Sequence, residues 1–518
     1  MSETPEFSNL DQSLQIDADP SRYNFLYSLK VSKDVIRRLS LHLDRTVVGS
    51  KEVFLSPIGK EEDPSITLSK FDKIFENNLG KMNKILLDLE YNNRGKYGPR
   101  SIAKPWSERR KSLVDYFSAS TSTRSLVLKS INNGRLRPLS LEEGIKLLKN
   151  NTNSGLPYYT RKSKVKMKTL EHFKDEINAE YPCILFTRTQ EGGKTRNVWG
   201  YPMSDTLNEM LYYSPILNFQ KRLVWRAALL GPDLVDRAIT ALVSSAIDGK
   251  ILYSVDFSAY DASINSYLED LSFDYIKSCF QSVYHENILK LRDRFKTIGI
   301  ITPNGIMSGQ HGVPSGSTFT NEVDSLVQYI ISSNSGVKDS QMQIQGDDGA
   351  YCVDVDTLDI LKDNFKHYGL KLNDEKSHTS QNYLVYLQKL YHKDYLKDGL
   401  IGGIYPVYRA LCRIVFQERY SDFEDYDLKG IDYYSIRTIT ILENCKYHPL
   451  FKELVRFVYD LDKYKLKFSQ DAIGKYGLML NNSTGTGNLL YNQYGDKVGG
   501  INDFETVKYL RHISNRRE

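Results

Sequence analysis

Two adjacent aspartates, Asp347 and Asp348, lie in the stretch QIQGDDGAYC, Gln343 to Cys352, between short runs that alternate apolar and polar residues. The alternation predicts two strands, and the Gly-Asp-Asp between them a tight hairpin, because Gly and Asp are turn formers. A solvated turn is one reading of these carboxylates. A cation site is the other, and it needs another carboxylate, since Mg²⁺ takes oxygen ligands in near-octahedral geometry. The stretch KILYSVDFSAYDAS supplies it: a strand over Ile251 to Asp256 carries Asp256 at its end. If that strand neighbours the hairpin in one sheet, Asp256 and Asp347 converge at the same edge, where two Mg²⁺ ions about 3.5–4 Å apart can be bridged. Such a site would lower the pKa of an attacking ribose hydroxyl and stabilise a leaving phosphate oxygen. Asp261 follows Asp256 with D-x4-D spacing that crosses from strand into turn, so it is free to reach a sugar hydroxyl instead.

The surrounding elements must hold these groups together. SINSYLEDLSFDYIKSCF has helical spacing of Ile264, Leu268, Leu271 and Tyr275. GQHGVPSGST is a Gly/Pro/Ser loop leading into a helix with Val323, Leu326, Val327 and Ile330 on one face. DTLDILKDNFKHYG predicts another amphipathic helix ending at Gly369, and LVYLQKLYH a strand or hairpin. Strand–helix, loop–helix, hairpin, helix, strand is an α+β order, not a regular βαβ array. Residues 392–518 look mostly helical, apart from the Gly- and Asn-rich NNSTGTGNLLYNQYGDKVGG, Asn481 to Gly500, which predicts a long loop with an apolar tip.

Composition narrows the class. The chain has 518 residues, a net charge of +5 and 36 tyrosines. Its five scattered cysteines form no C-x-x-C pair, which argues against a disulfide framework or zinc site and for a reducing compartment. The polar, acidic N-terminus does not resemble a signal peptide, and no apolar run approaches the ~18 residues of a membrane span. The chain therefore reads as soluble and intracellular. Two basic clusters, Arg94 to Lys111 and Arg161 to Lys168, are candidates for single-stranded nucleic acid, the first with Tyr97 and Trp106 interleaved. Isolated histidines such as His311 and His378 read as surface or loop residues.

DFSAYDAS, GVPSGSTFTNEVDS, QGDDG, YGLKLNDEKS and YLQKLY resemble, in order, motifs A to E of viral RNA-dependent RNA polymerases. RTQEGGKTRNVWGYP and TNSGLPY upstream resemble motifs F and G. The motifs run from residue 152 to 391, and their variants are most similar to the polymerases of picobirnaviruses, with those of partitiviruses next. The resemblance implies a cupped right hand. An N-terminal extension (1–90) would bridge fingers and thumb, with fingers at 91–250 and 280–314, a palm at 251–279 and 315–391, and a thumb at 392–518.

It also implies roles. Asp256 and Asp347, with Asp348 assisting, would hold two Mg²⁺ ions, for which Mn²⁺ can substitute. Asp261 would sense the ribose 2′-hydroxyl; a carboxylate can accept that proton, and a deoxynucleotide would leave the bond unmade. Arg188, Lys194 and Arg196 would clamp the nucleoside triphosphate. Ser315, Gly316 and Thr320 match the motif B loop. The family pattern then expects Asn, and this chain has Asp324. A second carboxylate beside Asp261 would be repelled unless protonated or bridged, and Asn321 could substitute for it. Lys376 would protonate the leaving pyrophosphate. Thr152, Asn153 and Ser154 would guide the template, and Lys389 would lie near the primer end. Template and nascent RNA would be partners, with capsid protein as another, and the enzyme would work inside the virion and in the host cytoplasm. The segment 481–500 would fold back as an initiation platform or plug. Two rivals remain: an RNA-directed DNA polymerase, separated by nucleotide choice, and a non-enzymatic virion RNA-binding protein, which would not need Asp256, Asp347 and Lys376 together.

Overall fold

The computed structural model describes residues 6–8, 20–118, 125–128, 134–482 and 500–515. At its centre is a four-stranded antiparallel sheet in the order His378–Ser380, Lys250–Val255, Asp348–Asp354, Met342–Gln345. The strand and hairpin expected from the two acidic stretches are thus direct neighbours. Their side chains alternate between two covered faces. Leu252, Ala350 and Cys352 pack with the helix Pro232–Ser244 and the hairpin of Tyr383–Tyr386 and Lys389–His392. Tyr253, Val255, Tyr351 and Val353 join the larger core, with the helices Ser266–Cys279, Thr320–Asn334 and Val355–His367. Burial on both faces explains why these strands are so apolar.

The helix expected from Ile264 onward begins later, at Ser266, because the Asn265 side chain accepts the Leu268 N–H at 3.1 Å and caps it. His311 is a correction: it is buried, not on the surface, and its ring nitrogens bond to the carbonyls of Gly312 and Ile298.

A second sheet has five strands, in the order Glu6–Ser8, Gly305–Ser308, Ile300–Thr302, Cys183–Thr189, Thr195–Gly200. Leu26, Leu39 and Leu43 from the N-terminal region pack on Ile184 and Ile301 of this sheet. The next N-terminal helices, Pro64–Glu76 and Lys84–Arg94, share a core with the C-terminal helices Val407–Val415, Gly430–Glu443 and Phe451–Leu461. The N-terminal chain therefore runs from one lobe to the other. Glu90 fixes its far end: its carboxylate accepts the Val407 and Tyr408 N–H groups at 2.7 and 3.2 Å, where the helix dipole favours an anion. The expected loop 481–500 lies, beyond Asn482, outside the described residues until Gly500.

Candidate active site

Val255 pairs with Gly349, and Gln345 pairs with Asp348, so Asp256, Asp347 and Asp348 meet at one end of the central sheet. The hairpin turn is not merely solvated. Gly346 takes the left-handed conformation (φ +64°), which glycine adopts without strain. Its N–H donates to Ser325 Oγ at 2.8 Å, and its carbonyl accepts from Gln328 Nε2 at 3.0 Å. Gln345 Nε2 donates to Asn321 Oδ1 at 2.9 Å. The helix Thr320–Asn334 thereby seats the turn. Gly349 permits this approach, since a Cβ there would stand 1.8 Å from Gln328 Oε1.

The carboxylates repel one another. Asp348 is pushed up to about 8, first by burial and then by Asp347 and Asp256. Asp347 stays open to solvent but is flanked by protein, and that enclosure raises its carboxyl, with Asp256 adding to the effect. Clustered acids raised in this way are a donor set that a hard divalent cation would relieve. Among the described residues no three acidic, His or Cys side chains stand close enough to ligate one ion together. The remaining ligands of a bound Mg²⁺ would be water and phosphate oxygens, as is usual for this ion. Lys376 Nζ lies 3.9 Å from Asp256 Oδ2, with both side chains partly exposed.

Asp261 is pushed to about 7 by burial and by Asp347, while Arg196 and Asp324 oppose the rise. Asp324 is 5% exposed, and its Oδ1 has no hydrogen-bond partner. Its carboxyl is raised well above the ordinary range by burial and by Asp261, with which it also shares a hydrogen bond. Two carboxyls can bond only if one keeps its proton, so Asp324 acts as a donor to Asp261, the part expected of Asn. Asn321, the proposed substitute, instead accepts from Gln345 beneath the acidic turn. Tyr116, which sequence reasoning missed, stands beside Asp261, Asp324 and Arg196.

Arg188 and Arg196 are directly opposite each other on neighbouring strands, a like-charge pairing that an anion would stabilise. Arg188 leans to Glu418 at 3.4 Å, while Arg196 acts on Asp261 and Asp347. Lys194 is lowered by burial and then by Lys376, Arg196 and Lys96. Lys96 is a second missed residue: burial, then Lys376 and Arg409, lower its ammonium. Its only sequence signal was membership of the basic stretch 94–111. Glu191, between these cations, pairs with Arg409 at 2.5 Å and Arg100 at 3.4 Å. Nothing in the sequence around Arg409 marked it.

Other candidates serve the scaffold. Ser315 Oγ donates to the Asn197 carbonyl at 3.3 Å, and Thr320 Oγ1 to Pro314 and Ser317 carbonyls at 2.9 Å, so both shape the loop. Gly316 packs so tightly that a Cβ would lie 1.6 Å from the Trp199 oxygen. Ser154 is fully buried, and its hydroxyl accepts the Thr160 N–H; it cannot touch a template as its side chain stands. Asn153 Oδ1 accepts the Gly155 N–H, and Thr152 Oγ1 donates to the Lys149 carbonyl. Lys389 is turned toward Asp236 and Lys446, and burial lowers its ammonium. The basic stretches are only partly free for RNA: Arg94 is held by Asp72, Arg109 is buried against Asn197, and Arg161 pairs with Asp422 and Asp425.

The geometry has counterparts in known proteins. The viral RNA-dependent RNA polymerase family matches residues 105–400. A potential RNA-dependent RNA polymerase of human picobirnavirus (strain Human/Thailand/Hy005102/-) is 27% identical over 465 residues, covering 83% of this chain and 86% of that protein. An RNA-directed RNA polymerase of Cryptosporidium parvum virus 1 (strain KSU-1) is 25% identical over 285 residues, covering 48% and 53%. The crystal structure of the RNA-dependent RNA polymerase of a human picobirnavirus superposes with a TM-score of 0.76 at 24% identity, covering 91% of this chain and 96% of that one. It carries the right-hand fold over to this chain. No helix among the described residues is long and apolar enough to cross a membrane. With the family match spanning more than half of its length, the chain belongs to the viral RNA-dependent RNA polymerases and carries out template-directed RNA synthesis.

Proposed function

We propose that this polymerase joins ribonucleotides at the acidic end of the central sheet, using two Mg²⁺ ions, for which Mn²⁺ can substitute. The observation that carries this is the convergence of Asp256 with Asp347 and Asp348, ringed by Arg196, Lys194 and Lys376. Cations held by the three aspartates would make the primer 3′-hydroxyl more acidic and neutralise phosphate charge. The chain's own groups do the rest. Arg196 and Lys194 hold the triphosphate, and Arg188 joins them when it leaves Glu418. Asp261, drawn toward its anionic form by the Asp324 hydrogen bond and by Arg196, accepts the ribose 2′-hydroxyl. Lys376, beside Asp256, gives a proton to the departing pyrophosphate. In a double-stranded RNA virus these steps serve genome replication and transcription, inside the virion and in the host cytoplasm, with capsid protein as a neighbour.

The test uses purified protein, a single-stranded RNA template, Mg²⁺ and labelled ribo- or deoxyribonucleotides, beside Asp347→Ala. Ribonucleotide incorporation that the substitution abolishes supports the assignment. Deoxynucleotide preference, or activity that survives the substitution, overturns it. The virion placement predicts nuclease-resistant polymerase activity within purified particles; activity found only in the soluble lysate contradicts it.

A further inference from the structure

Glu209 lies in the middle of the helix Met203–Gln220 and is 4% exposed. Its two oxygens are both used: Ser317 Oγ donates to Oε1 at 2.8 Å, and the Thr318 N–H donates to Oε2 at 2.7 Å. These partners belong to the Ser315–Thr320 loop, whose Gly316 is pressed against the Trp199 backbone. The same helix holds the segment 152–162 at its N-terminus, where the Met203 N–H donates to the Ser154 carbonyl at 2.8 Å. Gly155 of that segment has φ +60°, and a Cβ there would meet the Tyr201 oxygen at 2.4 Å. Lys162, at the end of the segment, feels the Glu209 charge. One helix therefore contacts both the 152–162 segment and the Ser315–Thr320 loop.

We propose that the helix Met203–Gln220 is a bracket between the 152–162 segment and the Ser315–Thr320 loop, and that Glu209 is the positioning residue that latches this loop in its seated place. The proposal rests on the polymerase reading and deepens it. The latch is strong when Glu209 is ionised, because a carboxylate accepts both bonds with its charge. Burial pushes this carboxyl up to about 8, so that the latch loosens as pH falls through that value. Other ionisable groups face Glu209. Lys162 comes from the segment, Tyr201 and Cys183 from the five-stranded sheet and its exit, and Asp205 from the same helix. Arg294, from the helix His285–Thr297, is engaged by Asp205 at 2.9 and 3.0 Å.

The experiment compares wild type, Glu209→Gln and Glu209→Ala in the full chain on a primed RNA template with Mg²⁺. Gln keeps the size and one acceptor, so it imitates the protonated latch at every pH and guards against a simple folding defect. The expected ratio of wild-type to Glu209→Gln elongation rate is close to one at about pH 6.5 and rises roughly threefold by about pH 9, with a midpoint near the Glu209 value. Glu209→Ala is expected to lower kcat about tenfold or more at constant nucleotide KM, with activity restored by Gln. A ratio that stays flat with pH, or an Ala variant within about twofold of wild type, overturns the bracket. An inactive wild type would overturn the polymerase reading and the bracket together, whereas an active wild type with indifferent variants overturns the bracket alone.

Discussion

Replacing Asp324 by Asn, in protein stripped of divalent cations by EDTA, tests the electrostatics of the site directly. In the wild type Asp261 titrates near 7 instead of 3.8, and Asp324 and Asp348 are raised as well. An acid raised in the folded state binds more protons than its unfolded counterpart between those two values. Its contribution is therefore favourable below about pH 4 and is lost as pH rises toward 7 or 8. Burial and Asp347, not Asp324, raise Asp261, so the substitution acts through Asp324 itself, whose buried carboxyl is raised well above the ordinary range. Removing a buried acid that would otherwise have to ionise is worth about 2 kcal/mol. Asn removes one carboxyl from the group and offers Asp261 an amide donor that needs no proton. Urea unfolding followed by tryptophan fluorescence should show Asp324→Asn more stable than wild type by about 2 kcal/mol at about pH 8 and nearly equal at about pH 5. Saturating Mg²⁺ should then raise the wild type more than the variant at about pH 8. A variant less stable than wild type at the higher pH, or a difference independent of pH, would refute the shared-proton arrangement.

Gly316→Ala must push the loop away from the Trp199 oxygen, from 1.6 Å toward an ordinary contact, a movement of more than about 1 Å; single-nucleotide incorporation should fall about 100-fold, and a loss under about threefold would contradict the packing. Lys376→Arg keeps the charge beside Asp256 but cannot release its proton; pre-steady-state kcat should fall about 100-fold with nucleotide KM little changed, and full activity would remove Lys376 as proton donor. Arg226→Met leaves Glu322, where both side chains are 1% exposed, without its cation and with only the Gln220 amide bonded to it at 2.5 Å, and urea unfolding should show a loss of about 3 kcal/mol that adding Glu322→Gln largely restores.

Much of the site was legible because its chemistry is local. The strand ending at Asp256 and the Gly-Asp-Asp hairpin announce themselves by alternation and turn residues within a few positions. The helix Thr320–Asn334 was equally plain in its apolar spacing. What a side chain does once its element is placed was harder to read. Thr152, Asn153, Ser154 and Thr320 carry the right residue types, yet the three hydroxyls and the Asn153 side-chain oxygen bond within their own loops. A hydroxyl or amide bonds to whichever partner lies nearest, and that partner is set by the path of the backbone.

By itself, the sequence determined the order of elements, the acids available for catalysis and the departure at Asp324, all of which depend on residue type and short-range periodicity. Only the tertiary structure decided which of these groups meet. It put Asp324, not Asn321, beside Asp261, and brought Lys96 and Arg409 from far along the chain to the cations around Lys194 and Lys376. It gave Glu209 its two bonds to the Ser315–Thr320 loop. Pairing across such separations is paid for by burial of the cores between them, and the proton on Asp324 exists only because burial and a neighbouring charge favour it over ionisation.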